Sequence, residues 1–400
     1  MLLSKKSILI SGWYGGGNIG DEAILSSIIQ GLRGGGLNCD IKVLTPFPDD
    51  VHRIYGLDAI KHVNLYSLKG FLCGIFKGHF WTLIKTAYDC DIILIGGGGL
   101  IKDFHGTRNL LHIIDEAYLF KILRKKCIFC FIGVEPLFNN LSKSLIRSLF
   151  RLVDSFIVRD LTSYRVIANI IKPSCKKKLG ITSDPTFLLN PEPIRNCEEA
   201  WVQDVTESII ISPRALLEIA TNKQGYSIPE VVAKVTKYLI EVLNVKVTFL
   251  PFCRNKGDND LEIIKKILKM LPETMVSEFV IVIDDNYSPA QIKWIVSKAK
   301  GVIGMRLHSI IFASSVGVPF IGICGDNLRR PKIRDFAEEI EMSDFIYDIV
   351  SNDIEKLFAL IDSMTTESVN IRKHLLDRAV SMKRRATECL SYVVEVICES

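Results

Sequence analysis

The fold of this chain follows from one stretch, GWYGGGNIGDEAIL, at residues 12–25. An apolar run, Ile8 to Ile10, leads into it, and the apolar residues that follow recur at helical spacing. Glycines permit a tight turn and a close approach of backbone amides to a ligand, and a helix N-terminus favours a bound anion. The stretch therefore predicts a strand, a turn and a helix that together hold an anion or another polar ligand.

The same stretch matches the spacing G-x-G-x-x-G of dinucleotide-binding proteins, but its surroundings do not fit. That fingerprint requires an acidic residue roughly 20 positions further on, at the end of the next strand. The next predicted strand, Ile41–Leu44, is followed by Thr45 and not by an acid. Asp21 and Glu22 also stand where the pyrophosphate would pass. These features disfavour a nicotinamide dinucleotide.

The length and composition predict two soluble domains rather than a membrane-spanning protein. A chain of 400 residues that is 48% apolar suits two domains with large cores. The longest apolar stretches, Ile92–Ile101 and Cys127–Val134, are shorter than the roughly 20 residues of a transmembrane helix. The N-terminal apolar run reads as a first strand and not as a signal peptide. We therefore predict a cytoplasmic location.

The cysteines and the charges limit the partners that the chain can have. Eleven cysteines are scattered along the chain, and the side chains of Cys127 and Cys130 would point to opposite faces of a strand. Free thiols and no zinc site are the prediction. The net charge of +5 comes from local basic runs at residues 121–126 and 176–178. We interpret these runs as solvated faces, with contact to an anionic membrane surface as the alternative. No recognised nucleic-acid module is present, so nucleic acid is not a predicted partner.

Apolar segments of strand length recur through the chain and alternate with helical segments. Continuous apolar strands that alternate with helices predict a parallel sheet covered on both faces. The predicted strands are Ser7–Ser11, Ile41–Leu44, Asp91–Ile95, Cys127–Ile132, Ser155–Val158 and Ile181–Ser183, followed by Ser208–Ser212, Lys246–Leu250, Phe279–Ile283, Gly301–Ile303 and Pro319–Ile323.

This pattern predicts an α/β protein with two Rossmann-like domains. The polar, proline-containing loop Asn190–Glu207 is the predicted linker. The N-terminal domain is placed at residues 1–190 and the C-terminal domain at residues 205–345. Residues 346–400 are predicted to form a helical tail, and packing against the N-terminal domain is one arrangement it allows. For residues 51–88 an ordinary insertion is favoured over a membrane-facing helical region.

Four glycines, Gly96–Gly99, follow a predicted strand directly. Their conformational cost implies that something requires a bare backbone. We favour the close approach of a ligand or of the first glycine loop over tight packing between a strand and a helix. Asp103 comes just beyond and is a candidate proton acceptor for a hydroxyl group, with a helix cap as an equal alternative.

Arginines follow several predicted strands. Arg159 closes one strand beside Asp160, and arginine is the preferred residue for bidentate contact with carboxylate or phosphate. A structural Arg159–Asp160 pair is equally favoured. Asp184 is predicted to cap or orient a neighbour, and Arg214 to face the ligand side.

The segment GMRLHS, residues 304–309, joins a strand to a helix and is the second strong signal. Arg306 and His308 fall in or beside the first turn of the helix, where a cation opposes the helix dipole unless an anion is bound. The pair therefore predicts an anion clamp with a proton donor. Arg329, Arg330 and Lys332 add positive charge after the next strand.

The motifs GWYGGGNIGDEAIL, GGGGLIKD, VRD, SDP, ISPR and GMRLHSIIFASSVGVP occur in this order and resemble the polysaccharide pyruvyltransferases. The resemblance covers residues 8–325. It implies two Rossmann-like domains that face a cleft, as in GT-B glycosyltransferases. It also implies a reaction in which phosphoenolpyruvate places a pyruvate ketal on two sugar hydroxyls and phosphate is released. The implied acceptor is a cell-surface polysaccharide or its precursor, lipid-linked or free, reached at the inner face of the membrane in the lipid-linked case.

The resemblance also implies roles for residues. His308 would be the acid, or would hold and protonate the departing phosphate, and Asp103 would be the base toward the acceptor. No metal is implied, and no cofactor besides phosphoenolpyruvate as co-substrate. The implied donor-binding residues are Arg159, Arg306, Lys332, Arg330 and Arg214. The implied acceptor side comprises Gly15, Gly16, Gly17, Asn18, Asp21, Gly97 and Gly98. Family members often have an aromatic residue and a lysine after the strand that follows the Arg-x-His motif, whereas here Cys324-Gly325-Asp326 stands there.

Two other functions stay open at this point. One is a GT-B glycosyltransferase with a nucleotide-sugar donor, for which Asp284-Asp285 is the single weak candidate to hold a ribose. The other is a non-catalytic assembly or regulatory protein, which the intact Arg306 and His308 argue against.

Overall fold

The structure is a computed structural model of the whole chain. It describes residues 5–35, 37–103, 106–195, 198–215, 222–255, 257–325 and 332–399. The chain divides into two compact units. Unit 1 comprises Met1–Gly16, Ile24–Leu188 and Met382–Ser400, and unit 2 comprises Gly17–Ala23 and Leu189–Ser381.

Unit 1 is built on a parallel sheet. In the described part of the chain it has seven strands in the order β3-β2-β1-β4-β5-β6-β7. The strands are β1 (Lys6–Ser11), β2 (Cys39–Thr45), β3 (Asp58–Lys61), β4 (Ile92–Ile101), β5 (Lys126–Val134), β6 (Ser155–Val158) and β7 (Leu179–Ile181). The helices along these segments are α1 (Ile19–Gly34), α2 (Pro48–Tyr55), α3 (Leu68–Phe76), α4 (His79–Asp89), α5 (Arg108–Ile122), α6 (Asn140–Leu152) and α7 (Leu161–Ile170).

Both faces of this sheet are buried. Ile93 and Ile95 of β4 belong to one hydrophobic cluster, whereas Ile92 and Leu94 belong to the other. Because side chains alternate along a strand, each face receives every second residue. Helices therefore cover the sheet on both sides, which explains why β4 and β5 read as continuous apolar runs.

Unit 2 repeats this strand order around a second parallel sheet. In the described residues it has six strands in the order β12-β9-β8-β13-β14-β15 and a separate two-stranded hairpin, β10-β11. The strands are β8 (Ser208–Ser212), β9 (Lys246–Phe249), β10 (Arg254–Asn255), β11 (Asp258–Asn259), β12 (Val280–Val282), β13 (Gly301–Gly304), β14 (Phe320–Cys324) and β15 (Ile346–Asp348). The helices are α8 (Glu199–Thr206), α9 (Ile228–Glu241), α10 (Asp260–Leu268), α11 (Glu273–Phe279), α12 (Pro289–Lys298), α13 (Leu307–Ser315), α14 (Lys332–Glu339), α15 (Ile354–Thr366) and α16 (Ser368–Cys398).

The predicted α/β class with two parallel sheets is confirmed. Two strands of the main sheets were not predicted: β3, which has exposed ends, and β15, which falls in the segment assigned to a helical tail. The two-residue strands β10 and β11 of the hairpin were not predicted either. β3 and β15 are three or four residues long and stand at sheet edges, where the apolar signal is weakest. The last residues of α16, including Leu390 and Val393, pack in the core of unit 1. None of the described helices is long and apolar enough to cross a membrane.

Two local expectations can be compared with the structure directly. β4 does not end before the glycines but continues through them to Ile101, with a register shift against β5 after Gly98. Cys127 and Cys130 do lie on opposite faces of β5, because they belong to different hydrophobic clusters. Burial raises the pKa of the Cys130 thiol well above its ordinary value, so this buried thiol is unreactive.

Candidate functional site

The strand order indicates where each unit is suited to bind a ligand. In an open parallel sheet, ligands bind at the carboxyl ends of the strands where the order reverses. In unit 2 the reversal lies between β8 and β13. Arg214 follows β8, and Arg306 and His308 follow β13. The corresponding position in unit 1 lies between β1 and β4.

Arg306 is held by two carboxylates of unit 2. Its Nη1 and Nη2 donate to the two oxygens of Asp258 at 2.8 and 2.7 Å. Its Nε and Nη2 donate to the two oxygens of Asp260 at 3.1 and 2.5 Å. Asp260 is fully buried and also accepts the backbone N–H groups of Phe252 and Cys253. Arg306 therefore fastens the loop and hairpin that follow β9.

This arrangement compensates the unfavourable position of a cation, Arg306, at the N-terminus of a helix. A cation at the start of α13 opposes the helix dipole, and here Asp258 and Asp260 compensate it. Burial alone lowers the pKa of the Arg306 guanidinium, but the two carboxylates reverse this effect and raise it above its ordinary value. The guanidinium stays charged, and most of its N–H groups point at protein carboxylates. Arg306 is thus placed as a positioning residue for the β13–α13 junction.

His308 lies in the first turn of α13 and packs against a bare backbone. A Cβ added at Gly20 would lie only 2.0 Å from Nδ1 of His308. Gly20 belongs to the segment Gly17–Ala23 of unit 2, which is attached by a hydrogen bond from Ile19 N to Phe252 O at 2.9 Å. The absence of a side chain at residue 20 therefore lets the imidazole ring occupy its position. Sequence reasoning placed Gly20 in the glycine loop but did not connect it with His308.

Other residues of the first glycine loop determine the local backbone conformation. The side-chain oxygen of Asn18 accepts the N–H of Gly20 at 3.0 Å, which caps α1. Gly15 and Gly16 contact Phe47, and Gly15 has a φ of +83° that favours glycine. Asp21 lies half-buried in the first turn of α1.

The second glycine run is packed by protein atoms. A Cβ at Gly96 would lie 2.1 Å from the carbonyl oxygen of Cys130. A Cβ at Gly97 would lie 2.0 Å from Ile24, and the hydroxyl of Tyr14 donates to the carbonyl of Gly96. Gly98 also has a positive φ, of 86°. The bare backbone thus admits residues of the first glycine loop and its helix, one of the close approaches that the sequence favoured.

Arg159 and Asp103 both have structural partners in unit 1. Arg159 is buried and donates from Nη1 to Asp184 at 2.9 Å. Asp103 accepts the backbone N–H groups of Phe138 at 3.1 Å and Asn139 at 2.8 Å, just before α6 begins. Asp103 thus holds the backbone that leads into α6, whose N-cap residue is Asn139, and its role as a proton acceptor stays a prediction. For Arg159 the structure shows a structural pair, with Asp184 as the closer partner.

The remaining predicted donor residues follow strands of unit 2. Arg214 comes two residues after β8, and Lys332 opens α14 after β14; both are half-buried. Arg330 lies outside the described residues, as do Asp326 and Arg329. Asp284, the ribose candidate of the glycosyltransferase reading, has its carbonyl and carboxylate bonded to Arg254.

Sequence reasoning missed a polar cluster at the carboxyl edge of unit 1. It consists of Ser11, His62, His112 and Glu116, and we call it the His–Glu cluster. His112 Nε2 lies 2.8 Å from His62 Nδ1 and 3.3 Å from Glu116 Oε1. Burial lowers the pKa of His62 below its ordinary value, although Glu116 acts in the opposite direction. The spacing His112-x-x-x-Glu116 on one helix face was the available signal.

Comparison with solved structures identifies the class of fold. The chain resembles a glycosyltransferase from Rickettsia africae, with a TM-score of 0.59, 12% identity and coverage of 99% of this chain and 98% of the other. It resembles a putative UDP-N-acetylglucosamine 2-epimerase from Listeria monocytogenes with a TM-score of 0.63, 12% identity and the same coverage. A UDP-glucosyltransferase from Polygonum tinctorium matches with a TM-score of 0.59, 12% identity and full coverage of both chains. At this identity the likeness shows a GT-B-like fold and nothing more.

The family follows from the sequence model that the chain matches. The model of the polysaccharide pyruvyl transferases covers residues 18–327, which is more than half of the chain. The chain therefore belongs to the polysaccharide pyruvyl transferase family. A comparison with curated protein sequences found no match.

Proposed function

We propose that this enzyme transfers a pyruvyl group from phosphoenolpyruvate to two hydroxyls of a saccharide and releases phosphate. Membership of the family supports pyruvyl transfer in polysaccharide biosynthesis. Phosphoenolpyruvate as donor and the ketal as product are the parts that we propose. The saccharide is a cell-surface polysaccharide or its lipid-linked precursor.

The observation that carries this proposal is the position of His308. It stands in the first turn of the nine-residue helix α13, at the strand-order reversal of unit 2. The N–H groups that begin such a helix attract an anion, and a donor bound there would have an imidazole beside it. Arg214 and Lys332 follow neighbouring strands at the same edge and are the proposed cations for the donor carboxylate and phosphate. Arg306 holds this edge in place through Asp258 and Asp260.

The proposed chemistry balances without a further reactant. The donor methylene carbon gains a proton, and positive charge develops at its C2. Two bonds form from C2 to the saccharide oxygens, and the bond from C2 to the phosphate oxygen breaks. Of the two hydroxyl protons that the saccharide loses, one balances the proton on carbon and the other leaves with phosphate. His308 is proposed to supply the proton, a role suited to a positioned imidazole.

The test is turnover with defined substrates. Purified protein is incubated with phosphoenolpyruvate and a panel of saccharides, free and lipid-linked, and released phosphate and product mass are measured. We expect phosphate release that depends on the saccharide, with a product heavier by one pyruvic acid less one water. Consumption of phosphoenolpyruvate without a heavier saccharide would contradict ketal formation.

A nucleotide-sugar donor is the competing activity, and the same protein tests it. Asp284 and Asp285 are engaged by Arg254, since its guanidinium donates to the backbone carbonyls of both. We therefore expect a thermal shift with phosphoenolpyruvate and none with UDP or GDP, because a ligand raises stability only when it binds the folded state. The reverse pattern would favour glycosyl transfer.

We also propose that α3 and α4 contact an anionic membrane surface, where a lipid-linked acceptor would be reached. On α3 the apolar side chains of Leu68, Leu72 and Phe76 are exposed at spacings of four residues, and Trp81 is exposed on α4. Residues 62–88 contain three lysines and no aspartate or glutamate. Exposed apolar side chains with lysines are typical of a helix that lies in a lipid interface. The predicted cytoplasmic location stays a prediction.

Vesicle sedimentation tests this contact. We expect the protein to bind vesicles that contain phosphatidylglycerol, more weakly at high salt, and not to bind pure phosphatidylcholine. Phe76→Glu should abolish binding, whereas Val380→Glu should leave it unchanged, since Val380 is an exposed apolar residue of another helix, α16. Equal loss in both variants, or binding that ignores lipid charge, would contradict the proposal.

A further inference from the structure

The His–Glu cluster brings three metal-ligating side chains together within unit 1. One ligand atom from each of His62, His112 and Glu116 lies within 4.8 Å of the other two. His112 and Glu116 are four residues apart on α5, so their side chains share one helix face. His62 follows β3 directly, at the carboxyl edge of the sheet. Side chains from α5 and from the end of β3 therefore meet at one point of unit 1.

Two of the remaining polar atoms, His62 Nε2 and Glu116 Oε2, have outer partners of the kind that metal ligands have. His62 Nε2 lies 2.9 Å from the carbonyl oxygen of Leu44, which fixes the N–H on that nitrogen and leaves the Nδ1 lone pair toward His112. The Ser11 hydroxyl donates to Glu116 Oε2 at 2.7 Å. Metal-bound histidines and carboxylates almost always have such outer partners, which orient them and set the tautomer.

The environment of Glu116 Oε1, the second carboxylate oxygen, also favours a ligand in this cluster. Glu116 is 2% exposed, and its Oε1 is buried and accepts no hydrogen bond from the described residues. Its polar neighbours there are His112 Nε2 at 3.3 Å and His62 Nε2 at 3.7 Å. A buried ionised carboxylate is costly unless it is paired or coordinates a metal. A cation bound by Oε1 and the two imidazole nitrogens would compensate this charge.

We propose that His62 Nδ1, His112 Nε2 and Glu116 Oε1 bind a divalent transition-metal ion, best matched by Zn²⁺. Two histidines and one glutamate form a known zinc ligand set that leaves the fourth position open. Ligands bound tetrahedrally at 2.0–2.1 Å are about 3.3 Å apart, close to the 2.8 and 3.3 Å separations of His112 Nε2 from its two neighbours. The His62 and His112 side chains are 11% and 18% exposed, so the open position is accessible to a water or a hydroxyl.

This inference departs from the sequence analysis, which predicted no metal, and it does not rest on the proposed pyruvyl transfer. The sequence contains no second cysteine pair that would suggest zinc. The site arises because β3 and α5, which lie 46 residues apart in the chain, meet at one sheet edge. Metal binding is therefore measured directly and not through turnover.

The experiment titrates untagged, metal-stripped full-length protein with Zn²⁺ by calorimetry. The starting protein carries Cys73→Ser and Cys398→Ser, because both thiols are exposed and would bind zinc by themselves. We expect one equivalent with a Kd below about 1 μM. His112→Ala and Glu116→Gln should weaken binding more than about 100-fold, and Ser11→Ala about 10- to 100-fold, as loss of an outer partner does. His52→Ala, at an exposed histidine of α2, is the matched control and should bind normally.

The absorption spectrum of bound Co²⁺ is a second readout. It is recorded on the protein with the unaltered site, so it does not depend on whether the variants fold. Co²⁺ in the unaltered site should show the absorption of tetrahedral nitrogen and oxygen coordination without a thiolate charge-transfer band. Circular dichroism confirms that each variant is folded. Binding that is absent from the starting protein, or that survives unchanged in folded His112→Ala and Glu116→Gln, would overturn the proposal. In that case the cluster is a hydrogen-bond network only.

Discussion

The carboxyl edges of the two sheets differ in their chemistry although the strand order is the same in both units. In unit 1 the edge carries the His–Glu cluster, whose side chains bond to one another. In unit 2 the edge carries Arg306, compensated by two aspartates, and His308 at the start of a helix. The strand order therefore determines where polar side chains gather in each unit. Residues that are distant in the sequence determine how the charges of these side chains are compensated.

The largest effect on turnover should come from substitution of His308 in unit 2. We expect His308→Ala to lower kcat for phosphate release by about 10²- to 10⁴-fold, since a positioned acid contributes that much. The unfolding free energy should change little, because the side chain is half-buried. Turnover is measured beside His52→Ala, at an exposed histidine of α2, which should be as active as the unaltered protein. An active His308→Ala variant would remove the imidazole from the mechanism.

Arg306 should contribute mainly to stability. Arg306→Met leaves Asp260 buried without its cation, which costs about 3–5 kcal/mol of unfolding free energy. The control is Arg53→Met, which breaks an ion pair whose side chains are 69% and 44% exposed and should cost no more than about 1 kcal/mol. Urea denaturation measures both. Similar midpoints for the two variants would mean that the buried pair does not hold the unit 2 edge.

The contact between Gly20 and His308 should matter for catalysis more than for folding. Gly20→Ala introduces a Cβ that overlaps the imidazole ring, so the ring must move, and a displacement of about 1 Å can cost about 100-fold in rate. Gly34→Ala in the same helix is the control, since no described atom lies within 4 Å of its added Cβ. Equal kcat in both variants would show that the position of the ring is unimportant.

The smallest effect should come from Asp103 in unit 1, and it separates a backbone acceptor from a catalytic base. Asp103→Ala should cost about 1 kcal/mol of stability, because the N–H groups of Phe138 and Asn139 lose their acceptor. Asp103→Asn keeps an acceptor oxygen for these N–H groups, so it should retain both stability and turnover. If Asp103→Asn is folded but inactive, the carboxylate acts in the reaction and holding the backbone is not its main role.

Much of the architecture was readable from the sequence because the signals are local. Apolar runs such as Ser208–Ser212 and Ser155–Val158 coincide with β8 and β6. The glycine-rich turn before α1 and the ordered motifs also identified the family, which the match over residues 18–327 confirms. Edge strands β3 and β15 were not predicted because they have only four and three residues, and each contains an aspartate, so neither has a continuous apolar run.

The candidate sites were less predictable because their residues acquire partners across long stretches of chain. Arg306 was identified as a cation beside a helix start, but its partners Asp258 and Asp260 lie 48 and 46 residues away. The His–Glu cluster depends on His62, 50 residues before His112 and beyond a strand that was not predicted. The pattern of apolar and polar residues does not encode such pairings.

Consecutive residues are enough to predict the two parallel sheets, the glycine turn and the family, because hydrophobic periodicity and backbone freedom are local properties of the chain. Three long-range contacts are visible only in the folded molecule: protein carboxylates compensate Arg306, Gly20 accommodates His308, and two histidines meet a buried glutamate. These contacts form when separate strands and helices pack and exclude water, which makes every buried charge depend on the neighbour that packing supplies.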